Sequence, residues 1–261
     1  MDITSIIGLI LGLIAVGIGM ILKGVSLTAL INPAAILIII LGTIAAVLIA
    51  FPMSSIKKVP ALFKILFTDQ RDMDPLPTID LFTRWAEITR REGILALEDE
   101  IKEINDNYLA SGIQLAVDGH DPDYIEEVLV GKISAMEARH EEGAAIFSQA
   151  GTYAPTLGVL GAVVGLIAAL ADMSDTEALG SAISAAFIAT LLGIFTGYVL
   201  WHPFANKLRQ KSQKEVMYKE MVIEGIISIV NGESPKSIQE KLSAFLPTKE
   251  IDRLDQGAEN A

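Results

Sequence analysis

Two prolines, one threonine and a stripe of small residues are the features of this chain best suited to handling an ion. Pro155 and Pro203 lie near the ends of two neighbouring apolar segments, TYAPTLGVLGAVVGLIAALA and SAISAAFIATLLGIFTGYVL. A proline inside a helix lacks the N–H that would bond the carbonyl four residues earlier. Pro155 therefore frees the Gly151 carbonyl, and Pro203 frees that of Val199. Freed backbone at membrane depth persists only where protein or water satisfies it. Two such sites on paired helices indicate flexing or a wetted path; for Pro203, marking the interfacial end of a helix is an equal reading. Ala185, Ala189, Gly193 and Gly197 recur every four residues, a stripe that lets a neighbouring backbone come close. Thr190 lies one position round from it, so its hydroxyl either faces the interface or bonds back to its own helix.

An absence weighs as much as these presences. An ion path through a membrane ordinarily uses an intramembrane acid or base. The apolar segments of this chain hold no Asp, Glu, Lys or Arg, and Tyr153 and Tyr198 are the only ionisable groups in the two quoted above. Either the chain moves no ions, or a partner helix brings the titrating group.

These residues need elements to hold them. Of 261 residues, 51% are hydrophobic, and the mean hydropathy of +0.47 is high for a soluble domain of this size. The net charge of −12, with no dominant basic patch, argues against nucleic-acid binding. The absence of cysteine excludes disulfides and thiolate chemistry. His120, His140 and His202 are too scattered for a metal cluster, no cofactor is implied, and no catalytic constellation points to an enzyme.

Four runs, near 3–22, 33–51, 152–171 and 181–200, approach the length of about 20 residues that crosses a bilayer. The first lacks a basic leader and a cleavage site and reads as a retained span. Its Gly8 and Gly12 form a GxxxG pair that Gly17 and Gly19 extend; this suits close packing, or reflects the frequency of glycine in membrane helices. Lys57, Lys58, Lys64 and Arg71 follow the second run, and Lys207, Arg209, Lys211 and Lys214 follow the fourth. The turn after the first run carries only Lys23, and that between the third and fourth carries Asp172, Asp175 and Glu177. The excess of bases places both termini and the middle segment in the cytoplasm. The expected fold is an all-α integral membrane protein: transmembrane helices 1 and 2 in residues 1–53, a cytoplasmic helical domain in 54–150, transmembrane helices 3 and 4 in 151–204 and a helical cytoplasmic tail in 205–261.

In the middle segment, Leu81, Trp85, Ile88, Ile94, Leu97, Ile101 and Ile104 recur at mainly three- and four-residue steps, predicting a helix that Gly93 breaks or bends. A second helix opens at Asp121-Pro122 and runs into the third span, disturbed near Pro155. The tail stays helical to a stop at Gly232, and Ser234-Pro235 begins a last helix. From Pro247 the sequence turns polar and reads as frayed.

The strings GTYAPTLGVLGAVVGL and FIATLLGIFTGYVLWHPFANKLRQKS resemble the paired helices of the MotA/TolQ/ExbB family. Two spans before the large loop, with RREGILALEDEI inside it, resemble the MotA-type branch of flagellar stator subunits. This resemblance implies a ring of five copies around two single-span MotB chains, which supply the intramembrane aspartate and a peptidoglycan anchor. It also implies that ion flow drives the ring and that the loop pushes the rotor protein FliG. By position it assigns Pro155, Ala162, Thr190, Tyr198 and Pro203 to the ion path, and Arg90 and Glu98 to rotor contact, with Arg91 an alternative to its neighbour. The plainer reading of those charges is a solvated face, where Glu87 pairs with either arginine for only ~0.3–0.5 kcal/mol. Sodium-driven relatives resemble this chain but carry threonine where Ala162 stands, and alanine offers no ligand, which favours protons. The rival readings are a sodium-driven stator, an ExbB/TolQ-type energiser with one span before the loop, and a purely structural four-span scaffold.

Overall fold

A computed structural model describes residues 2–68, 73–171, 176–246 and 251. Arg71, Asp172, Asp175 and all of the polar stretch from Pro247 except Ile251 lie outside them. The described residues are helical, without a strand: α1 (Ile3–Leu22), α2 (Pro33–Ala50), α3 (Met53–Ile56), α4 (Val59–Phe67), α5 (Pro75–Glu92), α6 (Leu97–Ile101), α7 (Asn107–Val117), α8 (Pro122–Leu170), α9 (Thr176–Val230) and α10 (Pro235–Ser243). They form two compact units, Met1–Asp69 with Arg139–Gln210, and Gln70–Ala138 with Lys211–Ala261.

The first unit holds the apolar runs. α1, α2, α8 and α9 are each long and apolar enough to cross a membrane. Their outer faces are bare hydrocarbon, with Ile49 88% and Leu22 81% exposed, so they need lipid or another subunit to cover them. Asn32 caps α2 by accepting from the Ala35 N–H at 3.1 Å, and Pro33 takes the first position, where its missing N–H costs nothing. Within α2, Leu37–Leu41 widens into a π turn that the sequence did not announce.

Charge gathers at one end of this unit. Asp2 caps α1, pairs with Lys207 of α9 at 2.8 Å and donates its backbone N–H to the Phe67 carbonyl of α4. Desolvation pushes the Asp2 carboxyl up, but hydrogen bonds from Lys207, Thr4 and Ser5 outweigh it and hold the group well below the usual carboxylate range. Arg209 forks onto Glu141 of α8 at 2.6 and 2.8 Å, while Ser55 and Lys58 hold Glu142. Phe63, Phe147, Trp201 and Phe204 stack edge-on beside these pairs, Phe63 and Phe147 at 5.1 Å.

The second unit is packed like a soluble bundle. Phe82, Trp85, Ile113, Leu129, Met221, Ile226 and Leu242 are sealed in its core. The Trp85 indole N–H donates to Glu100 at 3.1 Å, and Thr78 shares a hydrogen bond with Tyr218, whose hydroxyl burial pushes up in pKa. Gly119 and Gly232 end α7 and α9 with positive φ, and the residue after each bonds back five positions, the Schellman arrangement. Of the two outcomes the sequence allows at Gly93, a break or a bend, the structure has the break. α5 stops at Gly93 (φ +86), α6 is a short piece ending at Ile101, and Asp106 caps a separate α7 by accepting from Tyr108 and Leu109. Ser234 caps α10, as the sequence predicts.

Two outcomes test this packing. A methyl on Gly225 would meet the Phe82 ring at 2.8 Å, so Gly225→Ala costs about 1–3 kcal/mol by overpacking and lowers the midpoint of thermal unfolding followed by circular dichroism; an unchanged midpoint refutes the contact. Hydrogen bonds from Arg209, foremost, depress the Glu141 pKa against opposing desolvation. The stability this gives is present above the ordinary carboxylate pKa of 4.5 and is lost as pH falls through the depressed value. Arg209→Gln therefore weakens the protein at pH 7 and flattens the acid limb of its unfolding midpoint against pH.

Candidate functional site

α8 and α9 meet backbone to backbone. A Cβ placed on Gly158 would stand 2.8 Å from the Ala189 carbonyl oxygen and 3.0 Å from Gly193 Cα. One placed on Gly193 would stand 2.8 Å from the Ala154 oxygen and 2.9 Å from Gly158 Cα. On Gly197 it would meet the Gly151 oxygen and Pro155 Cγ, each at 2.7 Å. Ala189, Gly193 and Gly197 of the predicted stripe are all buried along this seam.

This contact resolves the prolines. The Gly151 carbonyl that Pro155 frees lies against Gly197 of the other helix, where only a residue without a side chain lets a Cα–H reach it. α8 accordingly runs through Pro155 unbroken, and the expected disturbance there is absent. α9 also continues past Pro203, as expected, but it widens first. Thr196–Trp201 is a π turn, and the His202 N–H bonds back five residues to the Gly197 carbonyl. A π turn marks a disturbed hydrogen-bond ladder and is frequent where helices work.

The candidate ion-path residues fall in different surroundings. Pro155 sits half-buried in the seam, and Ala162, two turns on, is buried. Thr190 is half-buried and donates to its own helix carbonyl, Ala186, at 3.1 Å, the plainer of its two readings. Tyr198 is 64% exposed, and its ring lies 5.2 Å from that of His202. Tyr198 and Pro203 line a cavity of about 410 Å³ between α1 and α9, together with Thr4, Ser5 and Lys207. Of the glycines of α1, Gly12 packs against Val199, while Gly8 and Gly19 meet nothing within the chain.

Arg90 and Glu98 are exposed in the second unit, on the last turn of α5 and the first of α6. Among the described residues neither has an ion-pair partner. Arg91 leans back on the Glu87 carbonyl at 3.4 Å, Glu100 holds Arg84, and Asp99 holds Lys102. No cluster of His, Asp and Glu suited to a metal is present among the described residues. Sequence reasoning missed Gly158, named Gly151 only for the carbonyl that Pro155 frees, and counted His202 only as a scattered histidine.

The profile of the MotA/TolQ/ExbB proton channel family matches residues 100–221, and that of the motility protein A N-terminal region matches residues 6–93. Motility protein A of Bacillus subtilis is 58% identical over 254 residues, 97% of this chain and 93% of that one. The chain belongs to the MotA/TolQ/ExbB proton channel family. It is likewise 32% identical to the chemotaxis protein PomA of Vibrio alginolyticus over 94% of its length and 96% of that protein's. The flagellar MotAB stator complex from B. subtilis contains a chain that superposes with a TM-score of 0.92 over 97% of this chain and 99% of its own, at 58% identity. C. jejuni MotAB gives 0.90 at 29% identity over 95% and 97%. The all-α, four-span, multi-pass fold expected from the sequence is what this family member has. Two spans precede the middle segment, unlike the single span of the ExbB/TolQ rival.

The seam predicts a sharp asymmetry among glycines. Gly158→Ala and Gly193→Ala each drive a methyl into backbone, whereas Gly161→Ala meets only ordinary contacts at 3.6 Å and beyond. The first two are expected to cut the yield and melting temperature of the purified membrane protein by more than the third, and equal behaviour of all three refutes the seam.

Proposed function

We propose that this chain is the MotA-type subunit of a flagellar stator, which forms with MotB an ion channel and converts ion flow into torque on the rotor. The observation that carries this is the 58% identity to Motility protein A, spread over 97% of the chain. In this reading residues 1–53 and 151–204 span the plasma membrane, 54–150 and 205–261 lie in the cytoplasm with both termini, and five copies ring two MotB chains.

The α8–α9 seam has the character such a channel asks of this subunit. It holds no carboxylate, so the titrating acid comes from MotB, and its close backbones leave a narrow, apolar wall. Pro155, Ala162 and Thr190 face that meeting, with Tyr198 and Pro203 at its cytoplasmic end. Protons are favoured over sodium because Ala162 offers a methyl and no oxygen ligand. For rotor contact with FliG, Arg90 is favoured over Arg91, whose guanidinium is held by its own helix, and Glu98 is the complementary free charge.

Two measurements test the reading. Swimming of cells that depend on this chain is expected to stop with a protonophore and to ignore external sodium, and speed that tracks sodium overturns the ion assignment. Arg90→Glu and Glu98→Lys are expected to reduce swimming several-fold with normal membrane insertion, while Arg91→Gln changes it little; normal torque in both reversals removes these residues from the rotor contact.

A further inference from the structure

We propose that His202 is the proton acceptor at the cytoplasmic end of the seam, passing the proton to water in the cavity between α1 and α9. The inference rests on the reading above, in which a partner's carboxylate carries the proton across.

His202 stands at the end of the seam, next to Tyr198 of the cavity wall. On one side its imidazole lies directly on the Gly151 backbone, where a Cβ would come within 2.8 Å of Cδ2 and Cγ and 2.9 Å of Nδ1. Gly151 is also the residue whose carbonyl Pro155 leaves without its helical N–H. On the other side the imidazole meets the Tyr198 ring at 5.2 Å, and Tyr198 forms part of the cavity wall. No hydrogen bond from the described residues occupies a His202 ring nitrogen. Next to it, Trp201 closes the π turn with its indole N–H buried and without a protein acceptor, the kind of group that ordered water satisfies.

The cavity has room for water. Its volume of about 410 Å³ is many times the roughly 30 Å³ that one water occupies in the liquid. Its wall is mostly apolar, with polar groups from Thr4, Ser5, Tyr198 and Lys207. Three ion pairs stand on the elements packed here: Lys207 with Asp2 from α1, Arg209 with Glu141 from α8, and Lys58 with Glu142. A neutral imidazole has one ring nitrogen that can accept a proton and, once protonated, two that can donate. In the step proposed, the O–H bond of the partner's carboxylic acid breaks and an N–H bond forms, leaving carboxylate and imidazolium. The imidazolium then gives a proton to a cavity water and returns to neutral imidazole. One proton enters and one leaves.

The test uses the full complex with its single-span partner in vesicles that carry an internal pH dye. His202→Gln, similar in size and unable to titrate near neutrality, is expected to lower proton flux at least about tenfold and to flatten its dependence on pH. His202→Ala is expected to lose flux and to regain several-fold of it when millimolar imidazole is added, a rescue that a purely structural role would not give. Co-purification of the partner confirms assembly, and if His202→Ala fails to assemble, His202→Gln decides. Wild-type flux with the wild-type pH profile in His202→Gln overturns the assignment, as does a loss in His202→Ala that imidazole leaves unrestored. A wild-type complex that conducts sodium and no protons instead overturns the ion reading on which the proposal stands.

Discussion

Two helix backbones that touch without side chains between them set most of what this molecule can do. Between lipid-facing helices there is little hydrophobic drive, so association relies on close packing and backbone contact. Gly158 and Gly193 provide this at the centre, and Gly197 extends it to Pro155. A helix normally tolerates an internal proline poorly, because the carbonyl it frees goes unbonded. Here that carbonyl is covered by the Cα of a glycine on the other arm of the hairpin, and α8 stays continuous. The proline and the glycine are one feature distributed over two helices. α9 accommodates its own proline differently, through a π turn that also brings the Tyr198 and His202 rings together.

The two units solve different problems. The soluble-type core around Phe82, Trp85 and Met221 is held by burial of large side chains, the main driving force for folding in water. The membrane unit leaves much of its apolar surface outward and concentrates polar pairing at one end. Asp2–Lys207 ties α1 to α9, and Glu141–Arg209 ties α8 to α9. The more exposed Glu141–Arg209 pair contributes little stability by itself, and both pairs fix register, since each joins residues far apart in sequence. With the charges gathered there, the seam itself remains uncharged, which is the condition a partner's carboxylate requires.

Much of this was legible in the sequence because apolar length, proline position and small-residue spacing are local signals. The four spans, the cap at Ser234, the stop at Gly232 and the stripe from Ala189 to Gly197 all follow from such signals. What stayed hidden depends on pairing. Nothing in TYAPTLG says that its freed carbonyl will meet Gly197, so the sequence suggested a disturbed helix where the structure has an unbroken one. The π turns at Leu37–Leu41 and Thr196–Trp201 have no residue signature of their own. The break before α7 was legible in principle, since Asp106 is a good N-cap, but the apolar steps around it masked the signal. His202 looked incidental until its ring was placed between Gly151 and Tyr198.

The oxygen inventory of the seam bears on which ion can pass. A hard cation shed of water needs several oxygen ligands held at fixed distances. Along this wall Ala162 contributes a methyl, and the Gly151 carbonyl is pressed against Gly197. The Thr190 and Thr196 hydroxyls donate to carbonyls of their own helix, which fixes where their oxygens sit. Freeing the Gly151 carbonyl for a cation would mean separating backbones that glycine has brought together. A proton asks for much less, one lone pair at a time.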